Sequence, residues 1–341
     1  MSTIEPLLGA LVTSHSLSEH QSYDLFASVM AGGATHAQIG AMLAILAKRG
    51  PTVQELIGAA RVMRERVAHV QRPERCRKLL DTCGTGGAPK TFNISTLAAI
   101  VAAAAAPGKL AVAKHGNRSR TGRGSAEFFD AMGLRLDASP ETVASCLERV
   151  GVCFCFAVNH HPAMAHVAQA RRELGFRTIF NLLGPMTNPA RAEYQLLGVY
   201  DDHAAELMAR ALVSLGTKKT WVVHGLDGLD EITTTTNTKV REVTSAGVKE
   251  FLIDPCSLGL SLSTIDALAA KDSDHAARIA REVLDGVEGP HADIVALNAA
   301  AALTISEVSS DLQSGLELAF DALNSGRARE TLMRLVEVSR S

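Results

Sequence analysis

The chain has 341 residues, 47% apolar, 21% charged and 4% aromatic, with a formal net charge of −2. Such a length asks for one large domain or two unequal ones, and such a composition for a core built mostly from Ala, Leu and Val. The charge leaves no global electrostatic case for nucleic acid or an anionic membrane, and the longest apolar stretch, the ten residues 97–106, is too short to span a bilayer.

The N-terminus lacks a basic start followed by a long apolar run, so no signal peptide is expected. The cysteines are Cys76, Cys83, Cys146, Cys153, Cys155 and Cys256, with no CxxC pair. Reduced thiols in a cytoplasmic protein are the expectation.

The first 70 or so residues read as helix throughout. "EHQSYDLFASVMAG" ends on Gly32-Gly33. "THAQIGAMLAILAKRG" starts at a cap, Thr35, and stops at Gly50-Pro51. "TVQELIGAARVMRERVAHV" starts at Thr52 with Glu55 three residues on, a capping-box pattern. From Leu79 the rhythm becomes strand, glycine loop, helix. "KLLDTC" leads through "GTGG" to a helix from about Ser95 to Ala106. The strand "KLAVAK" leads through "HGNRSRTGRG" to the helix "SAEFFDAMG". Ser139 caps a helix with Pro140 at its first position, which feeds the strand "VCFCFAV", with Cys153 and Cys155 on one face. "YQLLGVY" and "KTWVVHG" are strands around a helix, "VREVTSAGVKEFLI" is a hairpin about Gly247, and the last 75 or so residues are mainly helical. The alternation predicts an α/β protein: a small all-helical domain plus a larger α/β domain with a mainly parallel central sheet.

Four segments can carry chemistry. In "DTCGTGGAPKTFNIST" glycines bring backbone amides close to a ligand, and a helix begins beside them, the recipe for an anion site. The bland reading is a strand–helix turn capped by Asn93 or Ser95. In "KHGNRSRTGRGSAE", Lys114, Arg118, Arg120 and Arg123 crowd a glycine-broken loop at a strand's C-terminal end, where α/β sheets bind ligands. Amides on one loop and cations on the next suit a ligand with several phosphates. "HGLDGLDEIT" supplies Asp227, Asp230 and Glu231, whose hard oxygens beside phosphate suit Mg²⁺. "HHPAMAHVAQARRELGFRTIFNLLGPMTNPA" supplies Arg171, Arg172 and Arg177 for a carboxylate. His160, His161 and His166 invite a metal, but His161 and His166 are five apart, a poor spacing for one helix face.

The ordered set "DTCGTGG", "FNIST", "KHGNR", "GSAE", "HHPAM", "RRELGFRTIFNLLGPMTNPA" and "DGLDE" resembles the anthranilate phosphoribosyltransferases of tryptophan biosynthesis over nearly the whole chain. The resemblance implies a helical domain over 1–73 with a returning segment at about 163–186, and an α/β domain over 74–162 and 187–341. It implies a homodimer paired through the helical domain, with no nucleic acid or membrane partner. The reaction it implies joins anthranilate to 5-phosphoribosyl 1-diphosphate, with Mg²⁺, giving N-(5-phosphoribosyl)anthranilate and diphosphate.

By position, the resemblance assigns Gly84, Gly87, Ala88, Thr91, Asn93, Ile94, Ser95 and Thr96 to phosphoribosyl diphosphate. To the same ligand it assigns Lys114, His115, Gly116, Asn117, Arg118, Ser119, Arg120, Thr121, Gly122 and Ser125. Gly84, Asn117 and Arg171 would contact anthranilate, and Ser95, Asp230 and Glu231 would hold Mg²⁺. No general base is assigned. Ala88 stands where the family commonly has Asp, both loops are one residue shorter, and Glu127 replaces the usual Asp, so altered Mg²⁺ dependence or diphosphate affinity is expected. Alternative readings are a related-fold nucleoside phosphorylase and a nucleic-acid-binding protein using the arginine-rich stretch Arg61, Arg64, Arg66, Arg72, Arg75, Arg77 and Lys78.

Overall fold

A computed structural model describes residues 4–13, 16–72, 78–87, 91–119 and 122–341. Helices α1 (Ile4–Thr13), α2 (Glu19–Met30), α3 (His36–Arg49) and α4 (Val53–Glu65) come first. Their starts are written in the sequence. Ser18, Thr35 and Thr52 each accept the third residue's N–H, and Gln21, Gln38 and Glu55 reach back to the cap, closing three capping boxes. No strand occurs among the described residues before Leu79.

The sheet strands are β1 (Leu79–Gly84), β2 (Ala111–Gly116), β3 (Val152–Phe156), β4 (Tyr194–Gly198), β5 (Lys219–Gly225), β6 (Thr238–Thr244) and β7 (Gly247–Ile253). They run in the order β3-β2-β1-β4-β5-β6-β7. The five from β3 to β5 are parallel, and the hairpin β6-β7 adds antiparallel. The chain leaves β1 toward β2 and β3, then returns to lay β4 on the other side of β1. That reversal opens a crevice beyond the C-terminal ends of β1 and β4.

Between strands lie α5 (Ile94–Ala105), α6 (Ser125–Ala131), α7 (Pro140–Val150), the short α8 (Ala157–His160), α9 (Ala165–Leu174), the short α10 (Phe180–Leu183) and α11 (Asp202–Leu215). After the hairpin come α12 (Ile265–Leu268), α13 (Ser273–Leu284), α14 (Pro290–Ile305), α15 (Leu312–Asn324) and α16 (Arg327–Ser339). Ser139 caps α7 with Pro140 at its first turn, as read from sequence. "VCFCFAV" ends sooner than expected: the strand stops at Phe156, and Ala157 and Val158 already belong to α8.

Alternation along each strand serves two cores. Leu196, Trp221, Val223 and Val240 face one that includes α5, α14, α15 and α16. Leu197, Val222 and Val243 face the other, shared with α2–α4, α9, α10 and α11. Helices α5 and α14 are alanine-rich and buried nearly all round, so small side chains let them lie close in the first core. The segment from α9 to Met186 thus packs with the N-terminal helices, although it follows β3 in sequence. No helix among the described residues is long and apolar enough to cross a membrane.

Candidate active site

The loop after β1 sits at the switch-point crevice. Gly84 lies opposite Gly198 of β4, and both glycines are required by what crosses above them. A Cβ on Gly198 would fall on the backbone oxygen of Asp230, and one on Gly84 would lie 2.8 Å from Asp230 Oδ2. The turn after β5 therefore lays its acids across the strand ends. Asp230 Oδ2 accepts the Gly86 N–H at 3.0 Å, and Glu231 Oε1 accepts the Ser95 N–H at 3.2 Å. Gly86 and Gly87 have φ of 67° and 101°, left-handed values that glycine adopts without strain.

Lys114 of β2 is buried beneath them. Its Nζ donates to Thr82 O at 2.6 Å and to Ser95 Oγ at 3.2 Å. Burial lowers its affinity for the proton, while Asp81, Cys83, Glu231 and Asp230 act to keep it charged. Asp81, buried in β1, accepts His115 N–H at 2.9 Å. Burial raises the Asp230 carboxyl above the usual range. Glu231 is pushed up to about 8, first by burial and next by Asp230, with Lys114 pulling the other way. Burial outweighs the pull of Lys114 on both, so a further cation is what would bring them to the charged form.

That deficiency fits Mg²⁺. Two adjacent carboxylates and the Ser95 hydroxyl are too few donors for a protein-built cage, and no cluster of three metal-ligating acids, histidines or cysteines exists among the described residues. Mg²⁺ characteristically takes one or two carboxylates and completes its shell with water and substrate phosphate.

The loop after β2 folds upon itself. Asn117 Oδ1 accepts Arg118 N–H at 2.7 Å, and its carbonyl accepts Ala126 N–H and the Ser125 hydroxyl. Asn93 stands at the N-cap of α5 but its side chain makes no capping bond; its Nδ2 donates to Arg123 O and Gly124 O and ties the second loop to the first. His115 and His161 meet at Nε2–Nε2 3.1 Å. Burial holds both rings well toward the neutral form.

Two family models match the chain: a glycosyl transferase family helical bundle domain over residues 5–67 and a glycosyl transferase family a/b domain over 76–329. An anthranilate phosphoribosyltransferase of Hyphomonas neptunium is 48% identical over 346 aligned positions, covering 99% of this chain and 98% of the relative. One of Methylobacterium nodulans is 44% identical over 99% of both. The chain belongs to the anthranilate phosphoribosyltransferase family. The crystal structure of the Thermus thermophilus enzyme superposes with a TM-score of 0.90 at 40% identity, covering 98% of this chain and 99% of that one. The Saccharomyces cerevisiae enzyme in complex with PRPP and Mg gives 0.90 at 26% identity, covering 99% and 98%.

Within the anthranilate phosphoribosyltransferase frame, the residues assigned by resemblance fall unevenly. Gly84, Gly87, Ser95, Lys114, Asp230 and Glu231 surround the crevice; Ile94 and Thr96 are buried in the first turn of α5. Thr91 forms a bridge with Ala269. A Cβ on Gly116 would fall on Ser125 Oγ, so the two are packed together. Arg118 faces outward, 3.9 Å from both Glu127 and Asp130 and over the Phe156 ring. Ala88, Arg120 and Thr121 lie outside the described residues, as do Arg75 and Arg77. Arg171 is half-buried with its guanidinium 5.1 Å from the Phe180 ring centroid, and no hydrogen bond or ion pair joins it to Gly84 or Asn117 among the described residues.

Two sequence readings need correction, those of Asp227 and Arg177; for the histidines the spacing already spoke against a shared metal. Asp227 does not join Asp230 and Glu231: its carboxylate accepts Leu229 N–H and the hydroxyls of Thr233 and Thr235, which shapes the turn. The three histidines separate, His160 to Ala68 O, His161 to His115 and His166 beside Gly32. Arg177 does not sit as a free carboxylate grip: it donates to Gly87 O at 2.9 Å and stacks 3.8 Å over Tyr200. The arginine-rich stretch is also engaged within the protein. Arg61 meets Glu19, Arg64 donates to Met186 O and Leu215 O, Arg66 to Ala27 O, Arg72 pairs with Glu193 and Lys78 donates to Glu307 O. Sequence reasoning missed Asp81 and Arg177's bond to the first loop. A carboxylate inside the apolar strand "LLDTC" was the available signal for the former.

Proposed function

We infer that this chain transfers the 5-phosphoribosyl group from 5-phosphoribosyl 1-diphosphate to the amine of anthranilate, releasing diphosphate, and that the switch-point crevice performs the step. The observation that carries the site assignment is the meeting of Asp230 and Glu231 with the Gly86 and Ser95 amides above the buried Lys114.

Breaking the bond from the anomeric carbon to diphosphate builds positive charge on the sugar and negative charge on the leaving group. Lys114, the amides of Gly84 and Gly87 and the positive end of the α5 dipole oppose the latter. Ser95, Asp230 and Glu231 would hold Mg²⁺, which when bound would supply positive charge toward the departing diphosphate. The anthranilate amine attacks without prior ionisation, so no strong base is required. Arg171, Asn117 and Gly84 orient the ring carboxylate and amine, a contribution of position rather than chemistry. The PRPP and Mg bound to the Saccharomyces cerevisiae relative, and the 4-fluoroanthranilate bound to the same enzyme in another structure, support both ligand classes.

The domain limits given above, a dimer through α1–α4 and a cytoplasmic location complete this reading. Sedimentation of the purified protein at about twice the chain mass checks the dimer. Loss of anthranilate fluorescence on mixing with 5-phosphoribosyl 1-diphosphate and Mg²⁺ tests the function. Arg171→Ala is expected mainly to raise KM for anthranilate, and Asp230→Asn mainly to alter the Mg²⁺ response. If wild-type protein leaves anthranilate unchanged, the function is wrong; if neither substitution alters turnover, the site is.

A further inference from the structure

A diphosphate loop must present N–H groups and cations to its ligand and keep its carbonyl oxygens turned elsewhere, because each carbonyl carries the negative end of a peptide dipole. In the loop after β2 three successive carbonyls have partners. Gly122 O accepts the Ser273 hydroxyl at 2.9 Å. Arg123 O and Gly124 O accept the Asn93 amide at 3.3 and 3.1 Å.

The loop is also closed at its neck. Glu127 Oε2 accepts the Gly124 N–H at 2.9 Å and the Ser119 N–H at 3.2 Å, drawing the two ends together. A Cβ on Gly124 would lie 2.6 Å from both Asn117 O and Ser119 N, so only glycine allows this closure. Gly122, with φ 71°, turns the tip toward α13. There the Arg123 guanidinium donates to Ala270 O, one residue from Ala269, which bridges Thr91 of the first loop. The short run from Ala269 to Ser273 therefore touches both ligand loops from outside the crevice.

We propose that Ser273 and Glu127 are positioning residues for phosphoribosyl diphosphate: they clasp the second loop at Gly122 and at Ser119 and Gly124, and hold these backbone groups in place for the diphosphate. The clasp rests on the function inferred above. It predicts a selective effect. Both residues bond to backbone groups of the loop and neither is assigned to the ribose or anthranilate, so its loss is expected to loosen diphosphate binding without changing the chemistry once the ligand is bound.

The test is steady-state kinetics with each substrate varied, paired with hydrogen exchange of the ligand-free protein over residues 116–126. Ser273→Ala and Glu127→Ala are each expected to raise KM for 5-phosphoribosyl 1-diphosphate about tenfold, the scale of one lost hydrogen bond. The kcat should stay within about twofold, the KM for anthranilate, which the same loop meets through Asn117, should rise less than that for the diphosphate substrate, and exchange over 116–126 should rise about tenfold. Ser273→Thr keeps the hydroxyl and Glu127→Gln keeps an acceptor oxygen, so both should restore wild-type values. An unchanged KM for the diphosphate substrate, or a parallel change in kcat and both KM values with a lowered Tm, overturns the clasp. Wild-type protein without turnover overturns the inferred function instead; unchanged exchange in both alanine variants overturns the clasp whichever way turnover falls.

Discussion

At Gly198 the whole site depends on the absence of one carbon. β4 is fixed in register on both sides, by β1 through Gly84 and by β5 through Val223, so the strand cannot retreat from an added methyl group. The Asp230 backbone oxygen would have to move. Gly198→Ala is expected to cost about 1–3 kcal/mol of stability, as overpacking does. It should also shift the Mg²⁺ response, because Asp230 and Glu231 travel with that oxygen. Urea unfolding and turnover against Mg²⁺ measure the two effects; a variant of wild-type stability and Mg²⁺ response would show that the turn yields freely.

The hairpin β6-β7 is held to α11 by charge. Arg241 is almost wholly buried, with its guanidinium 2.7 Å from Asp202 Oδ1 and 2.9 Å from Glu250 Oε1, both half-exposed acids. The guanidinium beside it pulls the Asp202 pKa down to about 2. The asymmetry of burial decides the cost of mutation. Removing both acids strands a desolvated cation, while removing the cation leaves acids that water can reach. Asp202→Ala with Glu250→Ala should therefore destabilise by about 3 kcal/mol, and Arg241→Met by roughly 1 kcal/mol. Equal losses in denaturant melts would contradict this. Such contacts mark the limit of what sequence discloses. Helix starts at Thr35, Thr52 and Ser139 were legible because a cap acts within three residues. The strand–glycine–helix loops were legible for the same reason. The reversal at β1 and β4 was not, since it depends on which strands pair. Nor was the division of "DGLDE", where Asp227 and Asp230 are alike in sequence and separate only when Gly84 and Gly198 are brought beneath one of them.

Across the whole molecule, the seam between the N-terminal helices and the sheet is lined by histidines. His160 Nδ1 lies 2.9 Å from Ala68 O, just after α4, and His161 meets His115 of β2. Burial, and then His160, lowers the His161 pKa from 6.5 to about 4; burial lowers His115 and His160 as well. A histidine whose folded pKa lies below its unfolded value binds its proton first in the unfolded chain. Its neutral form thus supports folding above about pH 6.5, and that support is lost as pH falls toward 4, at up to about 1.4 kcal/mol per pH unit for each proton. Buried Asp81, Asp230 and Glu231 have raised pKa values and act in the opposite sense, so the raw pH curve mixes the two. Comparing wild type with His161→Asn separates them. The stability difference between the two should shrink steadily from pH 6.5 to 4.5, because only wild type has this proton to take up on unfolding. A difference that stays constant across that interval would mean that the seam accommodates a charged His161, and that acid weakens the protein elsewhere.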